Sequence, residues 1–281
     1  MKTLGIKLVG LALVASASLM ASGPRVTSAL FTSAQNEIVA VETPPLYSSK
    51  NPNGGMAFEI VKAALDSEKE TATLTTYPIQ KMVNYYVTQE KVLAALGTNF
   101  KLSEDEKKSV ISAPIAIFAE RYLYYKPAHP KGISWSGKLS ELKGLSYGAH
   151  NGEDASAYKK AEIKVLYGES RFLFKKLKTG KVDFIKEPVL SAETIIDANF
   201  AADKNEFGIM ESAPQKSICK ILFNLKNPQA EEISKKFIKG LSAILQNGKY
   251  QAIIEKYEGK TALSSQRVEE FKTLWKKELL K

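Results

Sequence analysis

Cysteine is almost absent: Cys219 is the only one in 281 residues. A single thiol excludes an internal disulfide and any metal site built on thiolates, so the fold must hold by hydrophobic burial alone. Histidine is nearly as scarce, with only His129 and His150. No phosphate-binding glycine loop, nucleophile elbow or histidine metal spacing occurs. These absences predict no cofactor, no metal and no enzymatic activity. Long apolar runs are also missing except at the start. There Leu8 to Met20 carries no charge, but it falls short of the roughly 20 residues that span a bilayer. Lys2 and Lys7 flank it on one side. Small residues follow on the other, at Ala15-Ser16-Ala17, Leu19-Met20-Ala21 and Thr32-Ser33-Ala34. That order is the signature of a secretory signal peptide. The expectation is a cleaved signal over residues 1–34 and a periplasmic mature chain. Ala34 is the preferred end, with Ala17, Ala21 and Ala29 as alternatives. No cysteine follows the apolar stretch, which excludes a bacterial lipid anchor there.

Acidic charge is in the minority. Forty Lys and Arg stand against 30 Asp and Glu, a formal net charge of +10. A basic balance suits nucleic acid, anionic lipid or anionic solutes. The lysines are spread along helical stretches beside many glutamates, however, and read mainly as solvated faces. Export also argues against nucleic acid as a partner. The 247 residues beyond Ala34 are enough to bury a sizeable core.

Strand-like and helix-like segments alternate throughout, the pattern of an α/β architecture. Strands are expected at Glu37–Val41, Thr71–Thr76, Val92–Leu96, Tyr122–Tyr125, Leu145–Gly148, Lys164–Tyr167, Val182–Ile185 and Cys219–Leu225. Helices are expected at Met56–Asp66, Gln80–Thr88, Leu139–Leu142, Ala155–Lys160, Phe172–Lys178, Ser191–Ile196, Ala230–Asn247, Lys249–Tyr257 and Ser265–Leu280. In the longest of these, Ile233, Phe237, Leu241, Ile244 and Leu245 fall on one face at helical spacing. The halves echo each other. Gln89-Glu90-Lys91-Val92-Leu93-Ala94-Ala95 and Thr179-Gly180-Lys181-Val182-Asp183-Phe184-Ile185 both end a helix and open a buried strand. Two similar lobes with a ligand cleft between them are the expectation.

Several segments, in this order, resemble the type II periplasmic solute-binding proteins of family 3, the amino-acid receptors of ABC importers. Thr43-Pro44-Pro45-Leu46-Tyr47 is similar to that family's Pro-Pro-aromatic segment. Gly54-Gly55-Met56-Ala57-Phe58-Glu59 is similar to its first helix start. Ser112-Ala113-Pro114-Ile115 resembles its Ser-x-Pro-Tyr crossover, and Leu142-Lys143-Gly144-Leu145 its entry to lobe two. Gly180-Lys181-Val182-Asp183 matches its helix–strand junction. Gln246-Asn247-Gly248-Lys249-Tyr250, running on to Lys256-Tyr257, resembles its closing helix pair. The resemblance spans about Glu37 to Tyr257. It implies a two-lobed fold, each lobe a mixed sheet flanked by helices, joined by a two-strand hinge. Residues 35–126 would form the first part of lobe one, 127–216 lobe two, and 217–281 the return to lobe one with the C-terminal helices. It further implies a monomer that captures a small polar ligand for an ABC permease, or for a membrane sensor. A periplasmic enzyme of the same fold, of dehydratase or lytic transglycosylase type, is the alternative, with Glu187 as its acid.

One departure bears on the ligand. The family carries a carboxylate-gripping arginine shortly before Ser-x-Pro, whereas this chain has Ser103-Glu104-Asp105-Glu106-Lys107-Lys108. An arginine fork is not interchangeable with a lysine point charge. Ligands of open α/β sheets sit beyond the carboxyl ends of strands. That rule selects Tyr47, Thr98, Asn99, His150, Asn151 and Glu187 as ligand-binding candidates. Tyr47 would stack on the ligand, Glu187 stands just past its strand where the resembled family often has an acid for the ligand's amino group, and Arg121 at the hinge would substitute for the missing cation. The plain alternatives are a packed loop aromatic, polar turns, a histidine bonded to its own loop, a solvated glutamate and a surface arginine.

Overall fold

The computed structural model describes residues 36–79, 81–82, 86, 89–98, 102–211 and 215–279. Within Gln35–Lys281, a single compact unit, nine strands form one continuous mixed sheet. They are β1 (Asn36–Val41), β2 (Ala72–Tyr77), β3 (Val92–Gly97), β4 (Val110–Tyr125), β5 (Ser146–His150), β6 (Lys164–Gly168), β7 (Phe184–Pro188), β8 (Phe207–Ile209) and β9 (Gln215–Asn224). Their spatial order is β2-β1-β3-β9-β4-β7-β5-β6, with β8 beside β4.

The pairing divides this sheet into two lobes. Strands β2, β1 and β3 are parallel, and so are β7, β5 and β6. Between these blocks run the long strands β4 and β9, antiparallel to each other. Strand β9 also pairs with β3, and the far half of β4 pairs with β7 and β8. Each block repeats strand–helix–strand, and the two crossings form a two-strand hinge. The sequence suggested only Tyr122–Tyr125 for the first crossing. The strand is 16 residues long, because Ile115, Ala116, Ile117 and Phe118 are buried and continue it into the first lobe.

Helices α1 (Met56–Ser67), α6 (Ala230–Gln246), α7 (Lys249–Glu258) and α8 (Ala262–Glu278) cover the first lobe. Their apolar stripes, including Phe58, Leu65, Phe237, Leu241, Tyr250 and Phe271, share a core with Ile38, Ile115 and Phe223 of the sheet. Gly55 opens α1 at φ 87°, and a Cβ there would lie 2.6 Å from the Pro45 carbonyl oxygen. Only glycine suits that backbone. The second lobe carries α3 (Ser156–Lys160), α4 (Ser170–Lys178) and α5 (Val189–Asn199). One face of its sheet packs Phe174, Leu177, Ile185, Ile196 and Phe207; the other packs Tyr122, Trp135, Tyr147, Tyr158 and Phe184. A short helix, α2 (Glu104–Lys108), holds the acid-rich stretch. Ser103 and Glu106 cap it reciprocally, which accounts for those acids locally. Most of the helix expected at Gln80–Thr88 lies outside the described residues, as do residues 1–34.

Helices α1 and α6 meet through Gly240. A Cβ there would stand 2.0 Å from the Ala64 carbonyl oxygen. Alanine normally stabilises a helix interior by up to about 1 kcal/mol over glycine. Here the overpacking, typically about 1–3 kcal/mol, runs the other way. Gly240→Ala is therefore expected to destabilise the protein by about 2 kcal/mol in urea unfolding. A gain in stability would contradict this close helix contact.

Candidate functional site

Strand β7 ends in Lys186-Glu187-Pro188, and the burial of these residues differs from the expectation. Glu187 lies within the strand, not past it, and is only 1% exposed. A buried carboxylate needs partners. Ser170 Oγ, in the first turn of α4, donates to Glu187 Oε1 at 3.0 Å. On the other side Oε2 stands 2.9 Å from His150 Nε2. The ring N–H is directed to the Lys186 carbonyl oxygen at 3.1 Å. Glu187 Oε2 thus has a charge beside it but no aligned hydrogen-bond donor. Ser191 Oγ, four residues on in α5, is likewise buried without a partner.

His150 ends β5, and the register of β5 against β7 brings it beside Glu187. Burial opposes a charged ring, but the Glu187 carboxylate, with Glu153 and the Lys186 carbonyl, outweighs it and lifts the His150 pKa to about 9. The imidazole is therefore a cation at neutral pH. Glu153 accepts from the His150 backbone N–H at 2.9 Å and from Tyr147 Oη at 2.7 Å. The His150 backbone N–H is thereby satisfied within its own loop. Asn151 turns the loop through its N–H to the Gly168 carbonyl. At Gly152 a Cβ would meet Ile79 of the first lobe at 3.2 Å. The two lobes therefore touch at this rim.

From the first lobe, Tyr47 follows β1 and is bridged to Thr43. It is buried, and burial pushes its phenol pKa up, reinforced by the nearby Cys219, Glu187 and Glu120. Tyr47 thus lies within the electrostatic reach of Glu187 and at the same time belongs to the first lobe's core. On the hinge strand, Arg121 is half-buried and paired in register with Glu187. It forms no ion pair or side-chain hydrogen bond with another described residue. The adjacent Glu120, 6% exposed, pairs with Lys186 at 3.3 Å. Tyr47, Arg121, His150 and Glu187 therefore gather around one crossing, with Asn151 in the adjoining loop.

Two cavities lie near candidate residues. One of about 210 Å³ lies between the lobes, against Leu46, Phe118, Pro188, Leu190 and Arg267. Leu46 and Pro188 are the chain neighbours of Tyr47 and Glu187. The volume is below the several hundred Å³ typical of drug-sized ligands, and suits a small solute. The second, of about 300 Å³, holds Thr98 beside Lys107, Ser112 and Lys220. Lys107 is paired with Glu104 at 2.5 Å, while Lys220 is exposed and forms no ion pair with a described residue. Thr98 is thus placed with hydroxyls and lysines, apart from the Glu187 contacts. Asn99 lies outside the described residues.

Sequence reasoning missed Ser170, the Glu120–Lys186 pair and Lys220. The helix-opening Ser170 had a legible signal, since it stands at the end of a strand parallel to that of His150. Among the described residues no group of three or more metal-binding side chains forms, and no helix is long and apolar enough to cross a membrane.

No family model and no curated protein matches the chain. Solved structures do. An ancestral arginine-binding protein bound to arginine superposes with TM-score 0.64 at 21% identity, covering 80% of this chain and 99% of that one. The GluR0 ligand-binding core from Nostoc punctiforme in complex with L-glutamate gives 0.60 at 16%, with the same coverage. A histidine kinase sensor domain with similarity to periplasmic binding proteins gives 0.64 at 16%, covering 80% and 96%. The chain has the two-lobed fold of the type II periplasmic binding proteins.

Proposed function

We propose that this protein is a non-enzymatic solute receptor that closes on a small polar ligand between its lobes outside the cytoplasmic membrane. On this reading residues 35–126 and 217–281 form lobe one and 127–216 form lobe two. The observation that carries it is the Glu187 carboxylate, buried at the lobe junction with Oε2 lacking an aligned donor. A solute bearing an ammonium or similar donor would complete it, with Tyr47 closing from the first lobe. The signal-like N-terminus supports export, and a likeness to an amino acid ABC transporter's substrate-binding protein supports delivery to a permease. The sensor-domain likeness favours a second reading, in which the closed lobes dock on a membrane kinase. The enzyme reading is weaker. Acid catalysis calls for a carboxyl group in an apolar pocket, whereas Glu187 stands beside an imidazolium.

The carboxylate end of a standard amino acid finds no arginine fork at α2. Losing a charged hydrogen bond costs about 1.5–3 kcal/mol, one to two decades of affinity. Calorimetry against the twenty amino acids and a panel of small amines is the test. Amines are expected to bind, and the standard amino acids only above micromolar concentrations. Submicromolar binding of any of the twenty would overturn this ligand class. If that binding vanished in Arg121→Ala, Arg121 would be the replacement cation.

A further inference from the structure

Ion pairing is uneven over the surface. Along the helices of the first lobe many lysines are neutralised: Lys62 by Asp66, Lys235 by Glu231, Lys239 by Glu68 and Lys256 by Glu59. In the second lobe Lys143, Lys186 and Lys204 are paired too, but one segment breaks the pattern. Between Ser156 and Lys181 the sequence holds eight Lys and Arg against two Glu, a net +6 of the chain's +10. Of these cations only Lys178 has an ion-pair partner among the described residues, Asp203. Lys159, Lys160, Lys164, Arg171 and Lys175 are exposed.

These charges ring one edge of the sheet. Strand β6 ends the strand order, with α3 packed before it and α4 after it. Tyr167 and Phe172, 39% and 41% exposed, stand at this edge. Lys159 Nζ lies 5.2 Å from the Tyr167 ring centroid, and Lys176 Nζ 4.8 Å from that of Phe172. The Phe172 ring covers Gly168, where a Cβ would approach it to 2.4 Å. Lysine on an edge strand guards against strand pairing, which accounts for Lys164. It does not account for unneutralised cations on both flanking helices or for aromatic rings left in solvent under lysines.

We propose that this basic, aromatic edge of the second lobe docks on an anionic phospholipid surface. The cations would lie over phosphate headgroups, and Tyr167 and Phe172 would sit at the interface, where amphipathic rings are favoured. The contact is electrostatic first. Each lysine or arginine near an anionic bilayer surface strengthens binding about fivefold, and the attraction fades within a Debye length as salt rises.

Vesicle co-sedimentation of the chain beginning at Gln35, which is compact by itself, is the test. It leaves the apolar stretch Leu8–Met20 out of the measurement. Binding is expected to vesicles rich in phosphatidylglycerol at low salt, with little binding to pure phosphatidylcholine and loss at high salt. The exposed triple variant Lys160→Gln/Lys164→Gln/Lys175→Gln should bind about a hundredfold more weakly with an unchanged melting temperature. Absence of binding to anionic vesicles at low salt would overturn the proposal. So would equal binding to phosphatidylcholine, or undiminished binding by the folded triple variant. None of these outcomes bears on solute capture at Glu187, so the two readings fail separately.

Discussion

Replacing Glu187 by glutamine is expected to abolish solute capture and to lower the pKa of His150. The substitution keeps the shape and the hydrogen bond from Ser170 Oγ to Oε1, and removes only the charge. Removing the charge that a bound ammonium would pair with in a buried site costs about 2–5 kcal/mol in binding, or 30-fold to several-thousand-fold. His150 reports the same loss without any ligand. Its pKa of about 9 reflects burial, which opposes charge, overcome chiefly by the Glu187 carboxylate. With that carboxylate gone, only Glu153 and the Lys186 carbonyl still oppose burial, and the pKa of the ring should fall well below 9. NMR titration of the imidazole in the parent and in Glu187→Gln reads this directly. An unchanged titration in the variant would mean that the pairing does not set the charge of His150.

A second large effect is expected in stability against pH. The folded-state pKa of His150 is about 9, against 6.5 for the free side chain. A raised pKa contributes stability that is fully present below pH 6.5 and is lost as pH rises through 9. At 1.36 kcal/mol per unit, this amounts to at most roughly 3 kcal/mol. The imidazole is partly open to solvent, at 32% exposure, so about 2 kcal/mol is the better expectation. For a domain of this size that corresponds to a fall in Tm of about 4–8 °C. The parent should therefore lose stability between pH 6.5 and 9 relative to His150→Gln, whose melting curve lacks this term. Parallel pH profiles for the two proteins would show that the imidazolium contributes nothing.

Much of the fold was legible because its elements are strongly patterned. The stripe of Ile233, Phe237, Leu241 and Ile244 marks a helix regardless of context. The uninterrupted apolar run Val92 to Leu96 reads as a strand buried on both faces. The hinge strand was found only at its far end. Pro114 and the small Ala113 and Ala116 hide its period, and its continuity depends on pairing with β9 about a hundred residues away. The site was legible by position and not by environment. Of the residues selected by position, Arg121, His150 and Glu187 lie at one crossing with Tyr47 in electrostatic reach, whereas Thr98 lies apart from them. That Glu187 is buried and held by Ser170 and His150 depends on the register of β5 against β7, which no local pattern carries. The acids of Glu104 to Glu106, which stand where the resembled family has its arginine, serve in part to cap a five-residue helix.

Thermal-shift titration of the chain beginning at Gln35 with a broad panel of small amines, amino acids and carboxylates, run side by side with Glu187→Gln, tests solute capture most directly. A solute present at a hundred times its Kd stabilises by about 2.7 kcal/mol, which for this chain length is a rise of about 5–10 °C. At least one amine-bearing solute should produce that rise in the parent and leave Glu187→Gln unmoved. A panel that shifts neither protein, or a solute that stabilises both equally, would contradict a receptor built around Glu187.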